Sequence, residues 1–528
     1  MDGSGSGKSA SYSIPNAFQC LGSYVFTDPK GELYDKTAGY LKSQGYDIKV
    51  LNLVNPSNSD GYNPLMHISS EIDVDVVANT IVKGQKTESS ADPYWDDMAE
   101  MLLKALIYYL IATRPEEEQN LASCAELVRA ANNKGGTNLL TELMSQLPYY
   151  HTARMNYKSI EIAPEKTYGS ILSSLQSKLG KFDSKEIAEL TSTDTIDFEE
   201  IGNKKTAVYV ISSDTHTAYD FLLTIFFSQM IQQLYNYADE NGGALKVPTY
   251  FILDEFANIG KIPDFDKKIS TSRSRKISFS VILQNLDQLE AVYEKSYETI
   301  IGNCDTHVFL GSNSYKTVEY FSKALGEKTI ERDSVSINRD RQYWKTGQST
   351  SDQVMARALM TPDELRRMDN DLCIIFEKGI KPVKANKFYY FKHKKMVTTL
   401  RNSEISHNDI GEIQRGEWRK FNPYNPWTED KSDKEVQDLK VESLDDLFAD
   451  EPKIEKKEEK KNTEEKVVKE PVKIAEKESS DLSSLDSFFE EEPKKTEPVQ
   501  IQNEEEDTYD LQKELEAKFD ELFGPLDD

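Results

Sequence analysis

Cysteine and histidine are scarce in this chain. Its 528 residues hold four cysteines, Cys20, Cys124, Cys304 and Cys373, and six scattered histidines. The absence of any Cys-x-x-Cys pair excludes a disulfide framework and leaves no ligand cluster for a structural metal. The cysteines therefore read as reduced thiols of a cytosolic protein. Long apolar runs are missing too. The longest, Met101–Ala112 (MLLKALIYYLIA), is too short for a membrane span and contains Lys104, so it reads as a buried helix. No stretch has the layout of a secretory signal. Positive charge is in deficit, 64 Lys and Arg against 91 Asp and Glu, a net charge of −27. That balance argues against general adhesion to nucleic acid, which needs clustered cations on phosphates.

The negative charge is concentrated at one end. Residues 431–528 carry 16 basic and 33 acidic side chains, leaving a net of only −10 for the first 430. A Lys/Glu-rich, apolar-poor segment cannot bury enough surface to fold, so 431–528 is expected to be a disordered acidic tail. Two similar islands recur in it, Ser443–Pro452 (SLDDLFADEP) and Ser484–Pro493 (SLDSFFEEEP), with a related Phe519–Phe523 near the end. They read as docking peptides for an unknown protein, with a solubilising spacer as the alternative.

The remainder has α/β character. Residues 1–9 form a Gly/Ser loop, and 10–20 could continue as a helix interrupted by Pro15. Apolar runs at Ser23–Thr27 and Asp47–Leu53 flank a helical Leu33–Ser43, the strand–helix–strand spacing of a parallel sheet. From 91 to 190 the pattern turns helical, at Ala99–Ala112, Asn120–Ala131, Thr137–Leu147 and Ile171–Leu179, with no strong strand run. Strand runs return at Thr206–Ile211, Thr249–Leu253, Ser278–Leu283, Thr306–Leu310 and Leu372–Phe376, all apolar enough for central parallel strands. Between the first two, Ala218–Ala238 places its apolar residues on one helical face. The expected division is a nucleotide-binding domain in two parts, 1–90 and 191–400, an all-α insertion at 91–190, a linker at 401–430 and the tail.

Three groups of residues carry chemistry. Gly3-Ser4-Gly5-Ser6-Gly7-Lys8-Ser9 has the small residues and Gly-Lys-Ser ending of a P-loop. Such a loop wraps phosphate oxygens in backbone N–H groups, with Lys8 reaching the β- and γ-phosphates of ATP and the Ser9 hydroxyl holding Mg²⁺. Asp2 stands where the strict pattern has glycine, and the strand that normally precedes such a loop is expected to be missing, leaving a gap at the centre of the sheet. Tyr250-Phe-Ile-Leu-Asp254-Glu255 is a buried strand ending in two acids. Asp254 would hold the Mg²⁺ shell, and Glu255 would polarise the attacking water. Arg273-Ser-Arg275-Lys276 precedes a strand that ends at Gln284. A polar strand-tip residue can sense the γ-phosphate, and an arginine can reach a neighbouring subunit's nucleotide; a solvated basic turn is the plainer reading. A second basic stretch, Lys378–Lys395, reads as surface.

Together with Thr27-Asp-Pro-Lys-Gly-Glu32, Phe251–Pro263, Ser272–Arg275, Ile282–Asn285 and Ile301–Asp305, these motifs make residues 1–395 resemble the type IV coupling proteins of conjugation systems, the TraG-type ATPases, and most closely their Gram-positive branch. The resemblance implies a RecA-like P-loop ATPase with a mostly parallel sheet and an inserted all-α domain that takes part in substrate recognition. It implies a homo-hexamer held at the cytoplasmic face of the membrane by N-terminal helices, which are absent from this chain; the chain alone would be soluble. It further implies ATP and Mg²⁺ as cofactors, a relaxase–single-stranded DNA complex as substrate, and secretion channel proteins as partners. By position Lys8 and Ser9 match the Walker A residues, Asp254 and Glu255 the Walker B acids, Gln284 the sensor glutamine and Arg273 the arginine directed at a neighbour. Asp28 and Lys30 fall in a family motif whose chemistry the sequence leaves open. Two other readings stand beside this one: a DNA-pumping ATPase of another pathway, and a non-hydrolysing docking adaptor on a truncated ATPase core.

Overall fold

The computed structural model describes residues 7–84, 93–131, 138–212, 219–339 and 346–424, with side chains left out over 332–353. All belong to one compact unit, residues 1–438. Gly3, Ser4, Gly5, Ser6 and the acidic tail with its repeats lie outside the described residues.

Five strands, β1 (Ser23–Thr27), β2 (Asp47–Asn52), β3 (Thr206–Ile211), β4 (Thr249–Leu253) and β5 (Ile277–Val281), form an all-parallel sheet in the order β2-β3-β1-β4-β5. Central β1 and β3 are buried at every residue, as strands covered on both faces must be. Alternation sorts their side chains. Val25, Val208, Val210, Phe251 and Leu253 enter one core, while Tyr24, Phe26, Tyr209 and Ile252 enter the other. The second core is closed by helices Ile14–Phe18 and Glu32–Ser43 and by Leu400 of helix Lys394–Asn402. The first core continues without interruption into the helical region.

Among its described residues that region holds helices and no strand. Helices Pro93–Thr113, Leu121–Ala130, Leu139–Ser145 and Glu165–Leu179 lie where periodicity placed them. Helices Glu71–Lys83, Thr152–Glu161, Lys185–Leu190 and Phe198–Asn203 join them. The first of these carries a readable start signal, a capping box in which Ser70 and Asp73 bond each other's backbone N–H. Helix Asp220–Glu240 departs from the one-faced expectation. Every residue from Phe221 to Ile231 is buried, so its first half is enclosed on all sides, and one-sided burial begins only after Ile231.

Two of the expected central strands belong elsewhere. β6 (Thr306–Phe309) and β9 (Leu372–Glu377) pair antiparallel in a separate sheet, ordered β10-β9-β6 with β10 (Val383–Asn386). For β9 and β10 the reason is local: they are joined by five residues with Gly379 at φ +85°, a hairpin connection that allows no parallel crossover. Between these strands β7 (Glu327–Arg339) and β8 (Thr346–Ala358) form a long antiparallel pair that the apolar pattern did not announce, since its strands are polar. The expected gap at the centre of the parallel sheet does not interrupt the ladder from β2 to β5. β5 is an edge, and its end faces β6 across a cavity of about 90 Å³ lined by Val281, Leu283, His307 and Val308.

Candidate nucleotide site

Gly7 marks the exit of the Gly/Ser loop. Its φ is +79°, and a Cβ there would sit 2.8 Å from Cε1 of Tyr389, so both conformation and space require glycine. The chain then enters one helical run. Ser9–Ser13 is a wide π turn and Ile14–Phe18 an α turn, with the Ser11 N–H donating to the Gly7 carbonyl at 2.8 Å. Pro15 does not break the run; it sits at the start of the α segment just past the π turn. Such single π turns recur at functional sites.

The run points Lys8 across to the strand tips. Its Nζ lies 3.0 Å from Asp254 Oδ1 and 3.7 Å from Glu255 Oε1, with all three side chains largely shielded from solvent. β4 delivers Asp254, which is 7% exposed. The Thr27 hydroxyl donates to the Asp254 carbonyl at 2.7 Å, locking the tips of β1 and β4 together. Glu255 adopts a left-handed conformation, φ +50° and ψ +46°, and donates its N–H to Asp254 Oδ1 at 2.9 Å. A non-glycine residue in this region costs of order 1 kcal/mol, the kind of strain that persists where the surroundings fix it. Here they do: Gln284 Nε2 donates to Glu255 Oε1 at 3.1 Å and Asn258 Nδ2 to Oε2 at 3.0 Å. Both carboxylate oxygens are thereby aimed.

Lys8, Asp254, Glu255 and Gln284 thus converge at the C-terminal ends of β4 and β5, where ligands bind in open α/β sheets. Ser9 opens the helical run beside Lys8. Arg273 is not brought there. It lies in the turn Arg273–Arg275 before β5, exposed, at the opposite end of a five-residue strand from Gln284. At 3.3 Å per residue the strand alone separates the two ends by roughly 16 Å. Arg275 is committed within the chain, to Asp239 at 2.9 Å and over the Tyr235 ring.

Asp28 has a structural task that the sequence did not reveal. It is 2% exposed, and its Oδ2 accepts the Tyr34 N–H at 2.8 Å, capping helix Glu32–Ser43 across the Gly31 turn. Burial pushes its carboxyl up to about 6. Lys30 is exposed. Asn258 and Tyr389 also escaped sequence reading, although Asn258 stands three residues after Glu255 in the Phe251–Pro263 motif.

Residues 1–412 match the family described as Type IV secretory system Conjugative DNA transfer. The chain belongs to that family. Its relatives include the conjugal transfer protein TraG of Escherichia coli, 26% identical over 389 residues, covering 69% of this chain and 60% of the relative. The protein VirD4 of Rhizobium rhizogenes is 24% identical over 408 residues, covering 74% and 57%. The chain thus spans about three fifths of the length of these relatives. The plasmid coupling protein TrwB, solved in complex with ADP and Mg²⁺, shares the fold at a TM-score of 0.50 and 18% identity, covering 73% of this chain and 83% of that one. Among the described residues no helix is long and apolar enough to cross a membrane.

Proposed function

We propose that this family member binds ATP with Mg²⁺ through Gly3–Ser9 and Asp254, hydrolyses it with Glu255 as general base, and uses the energy to deliver a relaxase–single-stranded DNA complex to a conjugative type IV secretion channel. The observation that carries the reading is the convergence of Lys8, Asp254, Glu255 and Gln284 at adjoining strand tips beside Gly7. The donor set fits the proposed ligands: a lysine and a glycine turn for phosphate oxygens, and a hydroxyl and a carboxylate for a hard cation. Bound Mg²⁺ would offset phosphate charge. Lys8, partnered by two acids in the chain, can carry its charge onto the β- and γ-phosphates. Glu255, with its oxygens held by Gln284 and Asn258, is set to take a proton from water, and Gln284 links that carboxylate to the end of β5. TrwB's ADP–Mg²⁺ complex supports the nucleotide class.

The further parts of the proposal are assembly and location. Arg273, exposed and remote from the chain's own Lys8, is suited to complete a neighbour's site in a ring, a homo-hexamer in this reading. The cytoplasmic face of the membrane is the proposed location. Substrate recognition is assigned to the helical region 91–190.

The test is ATP turnover with and without single-stranded DNA, on this chain and on an N-terminally extended version. Lys8→Ala should abolish turnover in both. Turnover that survives Lys8→Ala overturns the P-loop assignment. Nucleotide binding without turnover in either version would favour the docking adaptor.

A further inference from the structure

The segment after β10 runs Phe388-Tyr389-Tyr390-Phe391, four aromatics in a row, and it lies against the start of the chain. Tyr389 is buried, its ring beneath Gly7, and its hydroxyl donates to the Asn370 carbonyl at 3.2 Å. Its neighbour Phe388 is 48% exposed and stacked on His393, centroids 4.1 Å apart and planes within 17°. Phe388 also lines a cavity of about 380 Å³ with Ser11, Pro15, Asn16, Phe18, Gln19 and Met396. This is within the roughly 300–1,000 Å³ range of small-molecule pockets. It opens one helical turn past the phosphate loop, since the Ser11 N–H bonds the Gly7 carbonyl.

We propose that this cavity is the nucleobase subsite of the nucleotide held by Gly7, Lys8 and Ser9, with Phe388 as its stacking platform. The proposal rests on the nucleotide reading above and adds what holds the base. Continuity is the argument for the occupant. The cavity and the loop share one helical run, and Tyr389, whose ring packs beneath Gly7, is the residue next to Phe388, so anything anchored by its phosphates at Gly7–Ser9 has this aromatic wall beside it. Pro15, Met396 and Phe388 offer the flat faces of a purine van der Waals contact, beside the polar Ser11, Asn16 and Gln19. Stacking of this kind tolerates any base, because every base presents a π face. The contribution of Phe388 is therefore the same for adenine and guanine. Phe391 supplies an internal contrast. It is 54% exposed but stacks on Tyr389, centroids 4.9 Å apart, and does not line the cavity.

The experiment is calorimetric titration of the full chain with ATP, GTP and inorganic tripolyphosphate, all with Mg²⁺. Base–aromatic stacking is worth about 1–3 kcal/mol, or roughly 5- to 150-fold in affinity. Phe388→Ala should weaken ATP and GTP together by a factor in that range while leaving tripolyphosphate within about twofold. Phe388→Trp should restore ATP, and Phe391→Ala should leave it unchanged. Unaltered ATP affinity in Phe388→Ala overturns the subsite, as does an equal loss of tripolyphosphate, which would mark Phe388 as a support of the loop. Lys8→Ala separates the two levels. If it weakens every ligand while Phe388→Ala weakens none, only the base platform fails. If wild type binds neither ATP nor tripolyphosphate, the nucleotide reading and the subsite fall together.

Discussion

The two ends of β5 are built on opposite plans. At the C-terminal end four of the proposed site residues are tied together: Lys8 to Asp254, Asp254 to the Glu255 N–H, and Glu255 to Gln284 and also to Asn258. At the N-terminal end Arg275 is secured by Asp239 and the Tyr235 ring, whereas Arg273, two residues earlier, is exposed and takes part in no ion pair among the described residues. A group that must sit within tenths of an ångström of reacting atoms is pre-organised by neighbours of the same chain. In the proposed ring Arg273 would serve another molecule and has to be left reachable, and fixing Arg275 instead holds the turn that presents it.

This contrast can be broken by substitution, and after the complete loss expected for Lys8→Ala the largest effect is expected at the unsecured end. Arg273→Ala should cut DNA-stimulated turnover by about 10³-fold, the scale of a trans-acting arginine, without moving the melting temperature. Mixing it with a Glu255→Gln chain, which keeps Arg273 but lacks the base, should recover part of the lost turnover. Absence of recovery in the mixture would place Arg273 outside any shared site. At the secured end Glu255→Gln should lower turnover by about 10²-fold while nucleotide affinity is kept, as for loss of a general base. Equal loss of affinity, read by the same titration, would make Glu255 a binding residue instead.

Asp28 sharpens the comparison, because it lies at the same end of the sheet and its carboxylate is engaged by the helix that follows, through the Tyr34 N–H. Its carboxyl titrates near 6 in the folded chain against an ordinary 3.8. The folded state therefore binds the extra proton between about pH 4 and 6. The stability this contributes is complete below about pH 4 and is lost as pH rises through 6. Asp28→Asn keeps the acceptor for the Tyr34 N–H and removes the buried charge. At pH 7.5 it should be more stable than wild type by at most about 3 kcal/mol, and at pH 4 the two should unfold alike. A pH-independent difference in denaturant titrations would refute the assignment. The smallest effect belongs to Arg275→Ala. Loss of a partly exposed ion pair and ring contact should cost about 1 kcal/mol of stability and leave turnover per folded chain nearly intact.

How far the sequence could be read depended on whether the signal was local. The five parallel strands were legible because buried strands are short apolar runs, and Lys8, Asp254, Glu255 and Gln284 because each stands at a fixed place in a contiguous motif. Strand direction was not legible. Thr306–Phe309 and Leu372–Glu377 are short runs like the central strands; the tight connection to β10 announces an antiparallel neighbour for the second, and nothing local announces one for the first. The β7–β8 pair escaped because its strands are polar in sequence and carry no apolar run. Tyr389 was hidden for another reason: its contact with Gly7 spans 382 positions of chain, and no periodicity reports on a partner that distant. The cap made by Asp28 reaches only to Tyr34, but it crosses a turn whose geometry depends on Gly31 in the left-handed region.

The uninterrupted core between the sheet and the helical region has a mechanical meaning. Helix Asp220–Glu240 is sunk in that core, and its Thr224 hydroxyl donates at 2.6 Å to the carbonyl of Ile259, in the turn that follows Glu255 and Asn258. Gly260 sits so close to the same hydroxyl that a Cβ would be 2.6 Å away. A displacement of that helix is therefore felt at the backbone of the turn that carries Asn258, the same residue that holds the Glu255 carboxylate, so the buried helix and the strand-tip acid share one support.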